Sequence, residues 1–278
     1  MVQIKDILKA VNFGSFFVET ALLLRNSIFI NGTIYNSKIW YNLKQKEVDE
    51  LERIDRQMVS TWLETPITTP KEAIFLELGI QPLGSIIKER RINFLHYLCT
   101  RKKESMLSKF FRMQWMKPSK GDWTTQVKQD LDDIKLNIEL TEMKKIPKNK
   151  FKNLVKEKIK ELTFSSLLEE KTTHSKMKRL TYNEYKTQSY LKNKNITKEQ
   201  MMNVFRFRTG MSNFATNFGS KMKCPLCKNH EDSQEELNTW ETLKSRFENL
   251  DALEDVYKFD VSPESAKLLT DIMKFRDQ

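Results

Sequence analysis

At 278 residues the chain can bury a sizeable core in one or two domains. Glycine and proline are scarce, at seven each, and the 39% hydrophobic content comes with runs of Leu, Ile, Lys and Glu. This argues against a sandwich or a Gly-dependent α/β fold and predicts an all-α protein. The net charge is +11, but residues 231–278 hold thirteen acidic against six basic side chains, a balance of −7 that leaves +18 on residues 1–230. So basic a body points to a polyanion, most often nucleic acid, although solvated lysine faces are the usual fate of charge runs. Three cysteines, an odd count, and the lack of a signal-peptide pattern speak against a secreted disulfide scaffold. No apolar run approaches the ~18 residues of a membrane span. The expected location is nucleus or cytoplasm, with no membrane partner.

In chain order, Phe13, Phe17, Leu24, Ile28 and Ile34 predict a long helix over residues 13–36, buried on more than one side. Its polar members Arg25, Asn26, Asn31 and Asn36 would fix helix register or face a groove. Val48, Leu51, Ile54, Met58 and Trp62 form one apolar stripe of a surface helix over 44–64. Thr69-Pro70 opens a short helix that Gly79 closes. From Ser85 to about Arg101 a further helix carries Ile86, Ile87, Phe94, Leu95 and Leu98 on one side and Lys88, Arg90 and Arg91 on the other. Such a helix can sit on its core and still meet a phosphate backbone. His96 and Cys99 in this helix read as structural, since no acid or nucleophile is placed to use them.

Residues 104–116 complete this block with Met106, Leu107, Phe110, Phe111, Met113 and Trp115, and Pro118–Asp122 marks a boundary. Asp122 is placed to cap a helix with Val127, Leu131 and Ile134 inside it. Lys144–Lys160 follows, eight lysines against one glutamate, on a helical stripe of Phe151, Leu154, Val155, Ile159 and Leu162. Tyr182, Tyr185 and Tyr190 stand among lysines in 172–195, where aromatics either stack bases or anchor a loose segment to the core. Thr197-Lys-Glu-Gln200 has the form of a capping box that starts a helix ending at Arg208-Thr209-Gly210. Ser262-Pro263 opens a final helix.

The motif with most chemistry is Phe205–His230, FRFRTGMSNFATNFGSKMKCPLCKNH: a basic aromatic helix end, a loop, and Cys224-Pro-Leu-Cys227. Two thiolates at C-x-x-C spacing can share a tetrahedral Zn²⁺ but make only half a site. Arg-x-Arg-Thr-Gly followed by C-P-x-C resembles the C-terminal region of reverse transcriptases from non-LTR retrotransposons. Further stretches extend the resemblance: Ala21–Leu43, Leu51–Val59, Thr68–Leu83, Lys88–Arg101, Gly121–Leu131 and Cys224–Leu237.

The resemblance implies a thumb-like helical bundle followed by further helices and a small, degenerate zinc-knuckle-like loop, without fingers or palm. It divides the chain into a thumb-like domain (1–117), a basic helical connection (118–196), the RFRTG helix with its knuckle (197–240) and an acidic helical tail (241–278). The knuckle departs from the family form, because Glu236 and Trp240 stand where a His and a fourth Cys belong. His230 is the candidate third ligand beside Cys224 and Cys227, with Asp232 or Glu236 as an improvised fourth, so any zinc site is expected to be incomplete. The family's polymerase holds Mg²⁺ on an aromatic-x-Asp-Asp hairpin. Asp132-Asp133 lies in a helical pattern instead, so no Mg²⁺ site and no catalysis by this chain alone are expected.

What remains is a module that binds RNA or DNA, alone or with the rest of a reverse transcriptase. Arg25, Lys88, Arg90, Arg91, Arg206 and Arg208 are the candidate contacts, arginines being favoured for their bidentate forks on phosphate. The alternatives are a part of a polymerase or endonuclease completed by another chain, and a decayed element product.

Overall fold

The computed structural model describes residues 17–66, 68–174, 177–214, 222–223, 231–233, 243, 247, 250–258 and 261–276. Among these the chain is mostly helical and contains no named strand, so the all-α reading holds. The helices are α1 (Phe17–Leu24), α2 (Ile30–Thr33), α3 (Gln45–Trp62), α4 (Lys71–Leu78), α5 (Leu83–Thr100) and α6 (Met106–Met116). They continue as α7 (Trp123–Asp133), α8 (Leu140–Lys145), α9 (Lys148–Lys171), α10 (Lys198–Arg208) and α11 (Pro263–Arg276).

Local chemistry sets many of these ends. Asp122 accepts from the Thr125 amide at 2.8 Å at the start of α7. Thr197 and Gln200 close a full capping box on α10, and Ser262 accepts from the Ser265 amide at 3.1 Å beside α11. Gly79 ends α4 in the left-handed region, at φ 60°.

Two compact units result, and they interleave in sequence. The first unit draws on the described parts of 1–25, 56–80 and 167–278, the second on 26–55 and 81–166. The divisions fall inside α3 and α9, so the four consecutive stretches expected from the resemblance do not coincide with the units.

In the second unit α5 is the central element, packed by α6, α7, α8 and the 3₁₀ turn Ser37–Ile39. Ile92, Leu95 and Leu98 of α5 share a core with Val127, Leu131, Phe151 and Val155. His96 and Cys99 lie inside as structural residues, and burial pushes the Cys99 thiol up to about 11. A thiol so placed is a small hydrophobe at neutral pH.

In the first unit α4 is the buried element: every residue from Glu72 to Leu78 is inside, the carboxylates Glu72 and Glu77 with the apolar side chains. Glu77 is fully buried and forms the hub of a polar network. The Tyr182 and Tyr190 hydroxyls donate to its two oxygens at 2.6 and 2.7 Å, and Arg208 Nε donates at 2.8 Å. Arg208 also donates to the Lys258 carbonyl at 2.7 Å and to that of Val256. Tyr185, likewise buried, donates to the Ile80 carbonyl. The tyrosines of 182–190 are therefore anchors, and base stacking by them is excluded by their burial.

Both Tyr182 and Tyr190 are held well above the usual phenol range, first by burial and then by the Glu77 charge. In the unfolded chain they ionise near pH ~10. Folding therefore keeps protons that the unfolded chain loses above that pH, so this contribution is complete below ~10 and falls as pH rises further. In an alkaline titration, two of the seven tyrosines should yield tyrosinate absorbance only together with loss of near-UV circular dichroism. Ionisation of all seven with the dichroism intact would contradict the network.

Two expectations change. The long helix over 13–36, expected to be buried on more than one side, is interrupted by a π turn, Arg25–Phe29, between α1 and α2. An extra residue per turn rotates the faces out of line. Arg25 is then inside, at 1% exposure, while Leu23 and Ile28 are exposed at 65% and 50%. On α6, Phe111 is buried but Met106, Phe110 and Met113 face solvent, so this helix adds less core than its composition suggested.

Candidate nucleic-acid interface

The six residues expected to meet phosphate are engaged by the protein itself or buried. Arg91 on α5 makes a buried fork to Asp130 on α7, Nε at 2.6 Å and a terminal nitrogen at 2.9 Å. Arg208 is shut in with Glu77. Arg25 lies inside at the π turn. A phosphate would have to displace a carboxylate from Arg91 or Arg208 without solvent to receive it, a loss that attraction to the ligand does not return. Those three candidates are corrected to interior, structural positions.

The other three are less enclosed but are also held. Lys88 pairs with Asp133 at the end of α7. Arg90 donates to the Ile34 carbonyl at 2.7 Å and to Asn31 Oδ1 at 3.0 Å, and its partial burial lowers its pKa from the ordinary guanidinium value. Arg206 donates to the Glu64 carbonyl at 2.7 Å and lies 3.9 Å from the Glu64 carboxylate.

An exposed cationic surface lies instead on the lysine-dense stretch. Lys144, Lys148, Lys150, Lys152, Lys156 and Lys160 are exposed and form no ion pair among the described residues, whereas Lys145 pairs with Glu142 and Lys158 with Glu161. The helix is fixed by Phe151, Val155 and Ile159, which enter the core of the second unit at 0–2% exposure. With that face buried, Lys148, Lys152, Lys156 and Lys160 fall at successive four-residue steps. They form one stripe about 18 Å long at 1.5 Å per residue. Like charges at that spacing oppose the helix by about 0.2–0.5 kcal/mol per pair. A bound polyanion reverses the sign of that term. Lys152 and Lys156 also lower the pKa of Glu89 on α5, without offsetting the larger effect of burial, which leaves it above the ordinary carboxylate range.

The signal for this surface is plain in the sequence, as eight lysines in seventeen residues, 144–160. It is missed as a site because fork geometry favours arginine. Fork geometry is equally what suits arginine to buried carboxylates, and that use prevails here.

The zinc candidates Cys224, Cys227 and His230 lie outside the described residues, as do Glu236 and Trp240. Their flanks are described. Lys223 and Glu231 form an antiparallel bridge, and the Asp232 amide donates to the Met222 carbonyl at 3.0 Å. The Asp232 carboxylate is buried and takes both Nε (3.1 Å) and a terminal nitrogen (2.5 Å) of Arg276. It is therefore committed to an ion pair, which corrects its suggested role as fourth ligand. No group of three or more metal-ligating side chains occurs among the described residues. Asp132 and Asp133 sit at the exposed end of α7, where Asp133 takes Lys88 and Gln129.

No protein-family model matches the chain, and no curated protein or solved structure matches it either.

Proposed function

We propose that the chain is a non-catalytic nucleic-acid-binding module that holds the phosphate backbone of RNA or DNA along the lysine stripe of α9. The observation that carries this reading is the row Lys148, Lys152, Lys156 and Lys160, exposed and without ion pairs among the described residues on a helix whose other face is core. Ammonium groups in such a row give affinity without base reading, so the binding is expected to be sequence-tolerant and salt-dependent. No helix among the described residues is long and apolar enough to cross a membrane. Descent from the C-terminal region of a non-LTR reverse transcriptase is supported by the resembling stretches, from Ala21–Leu43 to Cys224–Leu237. The backbone grip does not require zinc.

The test is a titration of labelled structured RNA and of a matched DNA duplex between about 50 and 200 mM salt. Binding should weaken steeply over that range. Changing Lys148, Lys152, Lys156 and Lys160 together to Gln should reduce the salt slope by about 0.7–0.9 for each phosphate no longer neutralised. Arg206→Ala should change affinity less than twofold, because its guanidinium is already held by Glu64. An unchanged slope in the quadruple variant would remove the stripe from the interface.

A further inference from the structure

A pocket of about 310 Å³ lies in the second unit, formed by α5 and the turn from α8 into α9. Lys144, Lys145, Lys148 and Lys152 line it, with Tyr97, Ile146 and Pro147 as its apolar part, and no Asp or Glu lines it. Lys145 is partly neutralised by Glu142 at 2.6 Å; the other three form no ion pair among the described residues.

The frame is rigid. His96 Nε2 donates to the Ile146 carbonyl at 2.9 Å, and its ring stacks on Phe151 with centroids 4.4 Å apart. This ties the turn to α5. Tyr97 stacks with Phe94 at 5.7 Å between centroids and has the Arg101 guanidinium 4.7 Å from its ring centre. α9, which runs 24 residues, begins at Lys148, so the positive end of its dipole adds to the lysine charge.

We propose that this pocket takes a phosphate monoester carried on a nucleoside, either the phosphorylated end of a nucleic-acid strand or a free nucleoside monophosphate. The strand-end form rests on the backbone grip proposed above; the free-nucleotide form does not. A monoester carries about −1.5 to −2 at neutral pH, more than the single charge of an internal diester, and three ammonium groups with no ion pair among the described residues discriminate in its favour. The apolar part suits a nucleoside rather than inorganic phosphate. The volume lies at the small end of ligand sites, about 300–1,000 Å³, which suits one nucleotide and leaves no room for a duplex.

The experiment compares single-stranded oligonucleotides of one sequence bearing a 5′-phosphate, a 3′-phosphate or neither, by fluorescence anisotropy, alongside calorimetric titration with adenosine monophosphate. One phosphorylated end should bind at least about tenfold tighter than the unphosphorylated strand, the effect of an added charge of about −1.5 to −2 among several ammonium groups. Lys148→Gln/Lys152→Gln should abolish that preference. Lys156→Gln/Lys160→Gln, outside the pocket, should weaken all three strands alike and keep it. Equal, salt-dependent binding of the three strands would overturn the strand-end form and leave the backbone grip standing. Absence of binding by every strand overturns the grip instead. The pocket then stands on monophosphate binding that the Lys148/Lys152 variant loses, and falls if the wild-type chain binds none.

Discussion

Arg208→Met should lower the stability of the first unit by about 3–5 kcal/mol, the range for removing one partner of a buried ion pair. The Glu77 carboxyl would keep its two tyrosine donors but lose its only cationic partner among the described residues, in an enclosure with 0% exposure on both sides of the pair. The loss is a large fraction of the 5–15 kcal/mol that holds a typical domain together. Urea unfolding followed by far-UV circular dichroism should therefore show one transition displaced to much lower denaturant. Glu77→Gln/Arg208→Met should recover part of the loss, since no charge is then left unpaired, and the two single changes should be strongly non-additive. A displacement worth less than about 1 kcal/mol in the single variant, the size of an exposed pair, would contradict the burial described.

Gly79→Ala should be comparably damaging for a different reason. A Cβ at this residue would stand 2.2 Å from the Lys186 carbonyl carbon, 2.4 Å from the Thr187 nitrogen and 2.5 Å from the Lys186 Cα, on a backbone at φ 60°. The opposing chain is not free to retreat. Thr187 donates to the Leu78 carbonyl at 2.7 Å and the Gln188 amide to that of Glu77 at 2.9 Å, with Tyr185 on Ile80. Left-handed strain of about 1–3 kcal/mol adds to an overpacking penalty of similar size. Gly32→Ala is the matched control. Nothing lies within 4 Å of its added methyl, and the position is helical, so it should gain about 0.5–1 kcal/mol. Thermal melts of the two variants should move in opposite directions; a Gly79 variant that melts with the wild type would refute the close approach.

Legibility followed the range of the interaction. The Asp122 cap, the Thr197–Gln200 box, the Ser262 cap and the Gly79 stop are each written within about four residues, and the helices begin and end there. The partners of the arginines are not local. Asp130 lies 39 residues from Arg91, and Glu77 lies 131 from Arg208, so nothing near either arginine announces that its charge is consumed. Tyr182 and Tyr190 pose the same difficulty, since a tyrosine among lysines looks alike whether its hydroxyl meets water or a buried carboxylate 105 or 113 residues upstream. The stripe lysines Lys148, Lys152, Lys156 and Lys160 escape it, because a lysine row beside a core-packed face stays in solvent. Lys171, at the far end of α9, is by contrast buried and donates to the Leu180 carbonyl at 2.6 Å.

The same separations bear on how the chain comes off the ribosome. Glu77 is made well before any of its partners, and the last members of its hub, the Val256 and Lys258 carbonyls on Arg208, come later still. At roughly 5–20 residues per second, α4 waits on the order of 10 s for Arg208 to be added. Throughout that interval α4 is covered only in part, by segments of its unit already made such as 56–66, and its buried Glu77 lacks Arg208. The second unit, whose residues end at Ser166, is fully synthesised inside the same window. Nascent chains stalled between residues 166 and 208 should therefore carry a finished second unit beside a sticky, protease-sensitive α4, the point at which a chaperone has most to bind.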